Sequence, residues 1–442
     1  MADDSLYPDL GEIGTEETES AYVYKEHAMK KTRTEKDSEL TRRRFLSASL
    51  ALGAASFVKP GVLWAENAPK VDLPFERGRR PLVAFPQKRP LMVMTTRPPQ
   101  LETPFHLFDE NIFTPNDAFF VRWHLANIPS QIDMNTFRLK IRGRVTQPLS
   151  LNLAELKRDF EQVEVAAVCQ CGGNSRGFFD PRVPGGQWGN GAMGNAKWTG
   201  VRLRDLLAKA GLNDDGLQVR FDGLDQPIAD GTPDFRKSLN LEDAVQETVV
   251  VAHSMNGEPL PWLNGFPLRL VVPGWFATYW VKMLNDIEVL NKHDQQFWMA
   301  KAYRLPADPC ACVQPGEKIV RSVPIGKMTV RSFITNVQDS GTVVGGTPLT
   351  VKGIAFDQGY GIDRVLFSVD GGRQWQAASL GQDYGDFSFR PWEVQFTPVS
   401  GRTYMLQSLA VNRIGEPQRF SARWNPSGYL RNVVETVHIH AT

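Results

Sequence analysis

The chain has 442 residues, 42% hydrophobic, 22% charged and 10% aromatic, a globular composition that excludes a disordered, collagen-like or coiled-coil protein and allows about two to three folded units. Fifty Lys and Arg against forty-nine Asp and Glu leave a formal charge of +1, too little for a nucleic-acid binder that relies on overall charge, so no nucleic-acid partner is expected. Four cysteines are too few for a disulfide scaffold.

The first forty residues hold eleven acidic and five basic groups, few aliphatic ones and no sustained helical or strand period, which reads as a solvated tail. At Thr41 the texture changes: Arg42 and Arg43 precede Arg44, Phe45 and Leu46, residues 45–58 carry no charge, and small residues surround 65–68. This is a twin-arginine export signal. Its apolar run is shorter than the roughly 20 residues a membrane helix needs, so no permanent membrane anchor is expected and the mature chain is expected in the periplasm. Residues 1–67 are therefore read as acidic tail plus signal peptide. The twin-arginine route carries proteins already folded, which hints at a cofactor inserted beforehand.

Residues 68–104 are proline-rich (RRPLVAFPQKRP, TTRPPQLETP) and read as an extended arm. A mixed α/β unit is expected over 105–313. It would contain a strand at 137–143 (FRLKIRG), a short helix after Asn152 (LAELKRDF), a buried strand in VEVAAVCQC, and a helix with Val201, Leu203, Leu206 and Leu207 on its inner side and Gly211 as its stop. From 314 to 442 the chain becomes short alternating segments separated by turn residues, such as MTVRSFITNV, TPLTVKGIAF, WEVQFTPV and VVETVHIHA. That pattern predicts an all-β sandwich, immunoglobulin-like in architecture, and an α+β class for the whole.

The cysteines stand as Cys169 and Cys171 in VCQCGGN and Cys310 and Cys312 in DPCACVQPG. No CxxCH occurs, so no haem is expected in this chain; no zinc-type CxxC pair is present, and neither a GxGxxG before a helix nor a GxxxxGK(S/T) is evident. Cys171 ends an apolar strand and runs into two glycines and Arg176. Glycines admit a bulky ligand to the backbone and a nearby guanidinium favours a thiolate, a soft metal ligand; an inert buried cysteine is the plain alternative. Cys169 shares the face of Cys171 unless the strand bends. Arg122 and His124 in FFVRWH point the same way if that segment is a strand, giving a cation and an imidazole on one wall, or else a surface arginine and a core histidine. Arg269 and Lys282 bracket an apolar run broken by Pro273 and Gly274, which suits either a core strand or the wall of an anionic pocket. Cys310 and Cys312 are expected as free thiols, because a bridge across one residue needs an unusually tight backbone.

From about residue 105 to the end these segments resemble the sulfite oxidase family of molybdenum enzymes, and its bacterial periplasmic sulfite dehydrogenase branch in particular. VCQCGGNSRGFF is similar to the family's metal-binding strand, with Gly172 where alanine is usual. The resemblance implies that Cys171 ligates molybdenum held by a molybdopterin, and that Arg176 and Arg122 face the oxyanion substrate. It also implies that Phe120, Arg122, His124, Asp225, Arg269 and Lys282 contact the pterin and that Tyr303 is the active-site tyrosine. A further arginine of vertebrate members, after Trp-Asn near the C-terminus, is replaced here by Ser427 in WNPSG, with Arg431 nearby in sequence. The implied reaction is oxidation of sulfite to sulfate with electrons passed to a c-type cytochrome, either a subunit or a diffusing acceptor; homodimer and heterodimer both stay open. Alternatives are another oxo-transfer enzyme of the same fold, of the sulfoxide reductase type, and a secreted non-catalytic binding protein.

Overall fold

The computed structural model describes residues 70–72 and 78–442; the acidic tail and the export signal lie outside the described residues. Strands dominate, and the longest described helix, Leu203–Ala210, has eight residues. None of the described helices is long and apolar enough to cross a membrane.

The proline-rich stretch is where the fold departs most from expectation. Instead of an extended arm it forms an antiparallel meander, Lys70–Asp72, Arg79–Phe85, Lys88–Thr96, Pro99–Glu102 and Val121–Arg122, adjacent in chain order. A strand accepts proline only where no ladder hydrogen bond is lost. Pro99 opens its strand, and Pro90 lies across from the break in register between Val83 and Phe85. Leu91 and Leu101, both fully buried, supply the inward face.

Two further sheets carry the next region. One orders Arg236–Asn240, Gln218–Gly223, Leu284–Leu290, Leu139–Gly143 and Leu149–Leu151, with Leu284–Leu290 parallel to Leu139–Gly143. The other orders Glu258–Pro259, Val250–Met255, Met193–Arg202 and Gln162–Gln170, with Arg269–Val271 beside Val250–Met255. The helices between them follow local rules. Leu153–Asp159 starts with a capping box in which Asn152 Oδ1 accepts from Glu155 N and Glu155 accepts from Asn152 N. Leu203–Ala210 buries Leu203, Leu206, Leu207 and Ala210, one stripe at helical spacing, and stops at Gly211 with φ of 71°. Val201, expected on that stripe, belongs to the preceding strand.

The C-terminal region consists of two sheets. Arg331–Ile334, Leu349–Phe356, Arg390–Phe396 and Ser379–Leu380 form one, and Gly341–Val343, Thr436–Ala441, Thr403–Asn412, Ile362–Ser368 and Gln376–Ala377 the other. Val351, Trp392, Phe367, Leu406 and Ile439 from both sheets share one core. This region is joined to the rest by Val168 N donating to Phe387 O (2.9 Å), Asn195 Nδ2 to Ser388 Oγ (2.9 Å) and the fully buried Arg331 to Ser175 Oγ (2.8 Å).

Cys310 and Cys312 are bridged rather than free. Ala311 between them takes a left-handed φ of 53°, and this curl brings the two Cα atoms to 5.1 Å, inside the range a disulfide spans.

Candidate active site

Gln162–Gln170 pairs residue for residue with residues 193–201, placing Cys169 opposite Gly194. The strand ends at Gln170 and the chain turns tightly: Cys171 N donates to Ala192 O (2.9 Å), and Cys171 O accepts from Asn174 N (2.9 Å). That turn separates the two cysteines. Cys171 faces a narrow cleft, while Cys169 accepts a hydrogen bond from Arg269 Nη2 at 3.2 Å and does not line it. Burial pushes the Cys169 thiol up to about 11 against the pull of Arg269.

Seven of the nine residues singled out in sequence line this cleft: Phe120, Arg122, His124, Cys171, Arg269, Lys282 and Tyr303. The alternation Phe120, Arg122, His124 is the period of an extended chain. His124 Nε2 lies 2.5 Å from Tyr303 Oη and its ring stacks on Phe235 with centroids 3.5 Å apart. Desolvation, then Arg122, Lys282 and Lys237, hold the imidazole well below its usual range, so it is neutral. Its Nδ1 is buried with no partner. Burial raises the Tyr303 phenol above its ordinary value, opposed by Arg122.

The cleft is cationic and lacks its counter-charge. Arg122, Arg269 and Lys282 line it, and no carboxylate does. Arg269 donates to Asn264 O and Cys169 Sγ and packs on Trp198 and Trp280, but its buried Nε is unpartnered. Burial lowers the Arg269 guanidinium below its ordinary range. Lys282 lies over the ring of Trp123 at 4.4 Å and is pushed down by burial and by Arg269, partly offset by Asp225. Burying such charges unpaired is costly, so the arrangement calls for an anionic occupant.

Two of the nine lie elsewhere. Asp225 is buried outside the lining and acts on Lys282 through its charge, while burial raises its own carboxyl. Arg176 also stands outside the lining: Nε donates to Ser427 O (3.0 Å), Nη1 to Gly186 O (3.3 Å), and Cζ sits 5.2 Å from the Tyr429 ring, which in turn stacks on Tyr303. Its slot is cut by glycines. A Cβ at Gly173 would fall 2.5 Å from Arg176 Nη2, and one at Gly185 2.9 Å from Nη1. At Gly172 a Cβ would meet Ile325 Cδ1 at 2.9 Å, so Ile325 occupies the space that the family's usual alanine would need. Arg431 pairs with Glu435 at 2.5 Å over Phe178 and does not reach the cleft.

Three participants escaped the sequence reading. Lys88, buried in the strand Lys88–Thr96, donates to Asn264 Oδ1, Phe119 O and Asn116 O and so braces the Asn264 turn that holds Arg269. Lys237 is fully buried, donates to Trp298 O (2.8 Å), and lies 4.6 Å from the Tyr279 ring and 5.4 Å from the Tyr303 ring. Its signal was the apolar Phe235 and Leu239 two residues to either side at the strand period; all three are buried, as is Ser238. Tyr429 carried no local signal.

No group of three or more His, Cys, Asp and Glu that could hold a metal ion occurs among the described residues. A metal at Cys171 would therefore have one protein thiolate and take its other ligands from a group of its own. The cations without counter-charge, the orphaned Arg269 Nε and His124 Nδ1, and the Cys171 thiol on the cleft wall fit an anionic, metal-carrying cofactor.

Comparison with known proteins agrees. Residues 124–298 match the family model described as "Oxidoreductase molybdopterin binding domain", and residues 322–442 the one described as "Mo-co oxidoreductase dimerisation domain". The chain is 33% identical over 381 residues to "Sulfite oxidase, mitochondrial" of Homo sapiens, covering 82% of this chain and 68% of that protein. It is 33% identical over 388 residues to the sulfite oxidase of Gallus gallus, covering 84% and 82%. Among solved structures, the sulfane dehydrogenase SoxCD from Paracoccus pantotrophus superposes with a TM-score of 0.68 at 25% identity, covering 89% of this chain and 96% of that one. With a cationic, thiol-walled cleft lined largely by the matched molybdopterin region, His124, Cys171, Arg269 and Lys282 among its residues, the chain belongs to the sulfite oxidase family of molybdenum enzymes.

Proposed function

We propose that the chain is a periplasmic sulfite dehydrogenase, exported folded by its twin-arginine signal, that oxidises sulfite to sulfate and passes the electrons to a c-type cytochrome. The observation that carries this reading is the cleft itself, three cations and one cysteine thiol with no carboxylate on its walls. Cys171 is the residue to hold molybdenum. Phe120, His124, Arg269 and Lys282 would contact the pterin, with Asp225 tempering Lys282 from behind. When bound, the molybdenum cofactor supplies two-electron oxygen-atom transfer.

The chain's own groups do the rest. Arg122 offers a planar, permanently charged fork to the oxygens of a small oxyanion, and Arg176 adds positive field through Tyr429. The Tyr303 hydroxyl, 2.5 Å from a neutral imidazole, holds a proton between phenol and His124 Nε2 and would be placed to donate or accept it at the cleft. Phe235, Trp298 and Tyr429 around this pair exclude water. The C-terminal region, read as an immunoglobulin-like sandwich, would pair the enzyme with a second copy or with its cytochrome; the mass of the purified complex and its Soret absorbance separate these.

Protein matured in a molybdenum-competent host should contain molybdenum and reduce cytochrome c in a sulfite-dependent way, and Cys171→Ser should fold normally yet lose that turnover. Retained full turnover would exclude Cys171 as the ligand. A second reading is favoured by two observations: the solved sulfane dehydrogenase matches over 96% of its length, and Ser427 stands where the resemblance places an arginine in vertebrate members. A sulfane-sulfur substrate turned over faster than sulfite would select it.

A further inference from the structure

We propose that Cys310–Cys312 is a thiol–disulfide exchange site for small thiols and dithiols, and that its redox state governs the loop that holds Arg176 and Tyr429. The bridge joins residues two apart in sequence. So short a closed loop removes little entropy from the unfolded chain, so the bridge contributes little as a global staple. What it fixes is local. Ala311 is kept in the left-handed region, and the two flanks of the turn both grip one distant segment: Arg423 Nη1 donates to Pro309 O (3.2 Å), and Val313 N to Trp424 O (3.0 Å). From there Asn425 binds Tyr429 through both its backbone N–H (3.2 Å) and its carbonyl (2.8 Å), and Ser427 O accepts from Arg176 Nε. Tyr429 then stacks on Tyr303. A continuous set of contacts thus runs from the bridge to the cleft.

The two sulfurs are not equivalent. Cys310 Sγ lies 3.2 Å from Cys312 N–H and 3.3 Å from Cys312 O; once freed it can accept from the N–H as a thiolate and, after protonation, donate to the carbonyl, which makes Cys310 the leaving sulfur and Cys312 the one attacked. The thiolate of an external dithiol bonds to Cys312 Sγ as the disulfide breaks, and Cys310 departs as a thiolate that takes up a proton. The reductant's second thiol then displaces Cys312, which is protonated in turn. Two electrons and two protons pass to the bridge, and the reductant becomes a disulfide. Once open, the turn no longer holds Ala311 in a conformation that L-residues avoid, and the grips at Pro309 and Val313 can separate.

The effect on turnover rests on the reading of Arg176 as a substrate-side cation; the exchange chemistry does not. The full-length holoenzyme, with and without millimolar dithiothreitol, is alkylated for mass spectrometry and followed by amide hydrogen exchange. Under native conditions reduction should yield alkylation at Cys310 and Cys312, several-fold faster exchange in peptides covering 309–314 and 424–430, and a several-fold rise in sulfite KM with kcat kept. The Cys310→Ser/Cys312→Ser double variant should show the faster exchange without reductant and no response to it. A bridge that stays closed, or one that opens with exchange at 424–430 unchanged, overturns the proposal. Faster exchange with an unchanged KM upholds the switch and removes Arg176 from sulfite binding.

Discussion

Lys237→Met separates what the buried lysine costs from what it contributes. The strand Arg236–Asn240 points Lys237 inward between Tyr279 and Tyr303, where burial lowers its ammonium from the ordinary 10.5 to about 7 against the pull of Asp294, with Arg304 adding to the fall. That fall corresponds to about 5 kcal/mol of penalty on the charged form. Because the folded value lies below the unfolded one, the unfolded chain binds more protons between about pH 7 and 10.5. Stability therefore rises with pH in that window, and the penalty is fully present below it. Methionine keeps the unbranched stem and removes the charge, but leaves Trp298 O without its donor, a loss of about 1–3 kcal/mol. The net expectation is a variant about 2–4 kcal/mol more stable at pH 6, with a flatter rise toward pH 9, measured by urea unfolding of the cofactor-free chain. The same variant should turn over sulfite more slowly, with its pH profile displaced, because the cation beside Tyr303 and His124 is gone. A variant no more stable than the parent at pH 6, with an unchanged slope, would refute the assignment of Lys237 as a cation buried at net cost.

The two arginines should behave differently. Arg122→Gln removes a fork from the cleft wall and should cost about 2–4 kcal/mol in kcat/KM, with a weaker salt dependence of sulfite affinity. Arg176→Gln, acting through Tyr429, should cost less; equal losses in both would place Arg176 at the substrate directly. Gly173→Ala puts a Cβ where the Arg176 guanidinium lies, so it should mimic Arg176→Gln in sulfite KM while leaving molybdenum content intact, as judged by metal analysis.

Where the residues themselves, apart from family resemblance, pointed to the site, the pattern that showed it is local along the chain. Phe120, Arg122 and His124 reach one wall because an extended chain repeats every two residues, and Cys171 turns away from Cys169 because the glycines after it end the strand. The small helices were equally local, set by a capping box at Asn152 and a glycine stop at Gly211. What failed to show depends on partners far off. Arg176 meets Ser427 across 251 residues, and nothing in NPSGY announces that the loop carries both the acceptor and the ring that couple this arginine to Tyr303. The meander at 79–102 was hidden by prolines that read as breaks until Pro99 is seen at a strand start and Pro90 across from a register shift. Lys237 was hidden because a lysine in a strand usually faces water. Only the burial of both neighbours at period two shows that it points inward, and a cation kept there at such cost implies a role that stability alone would not select.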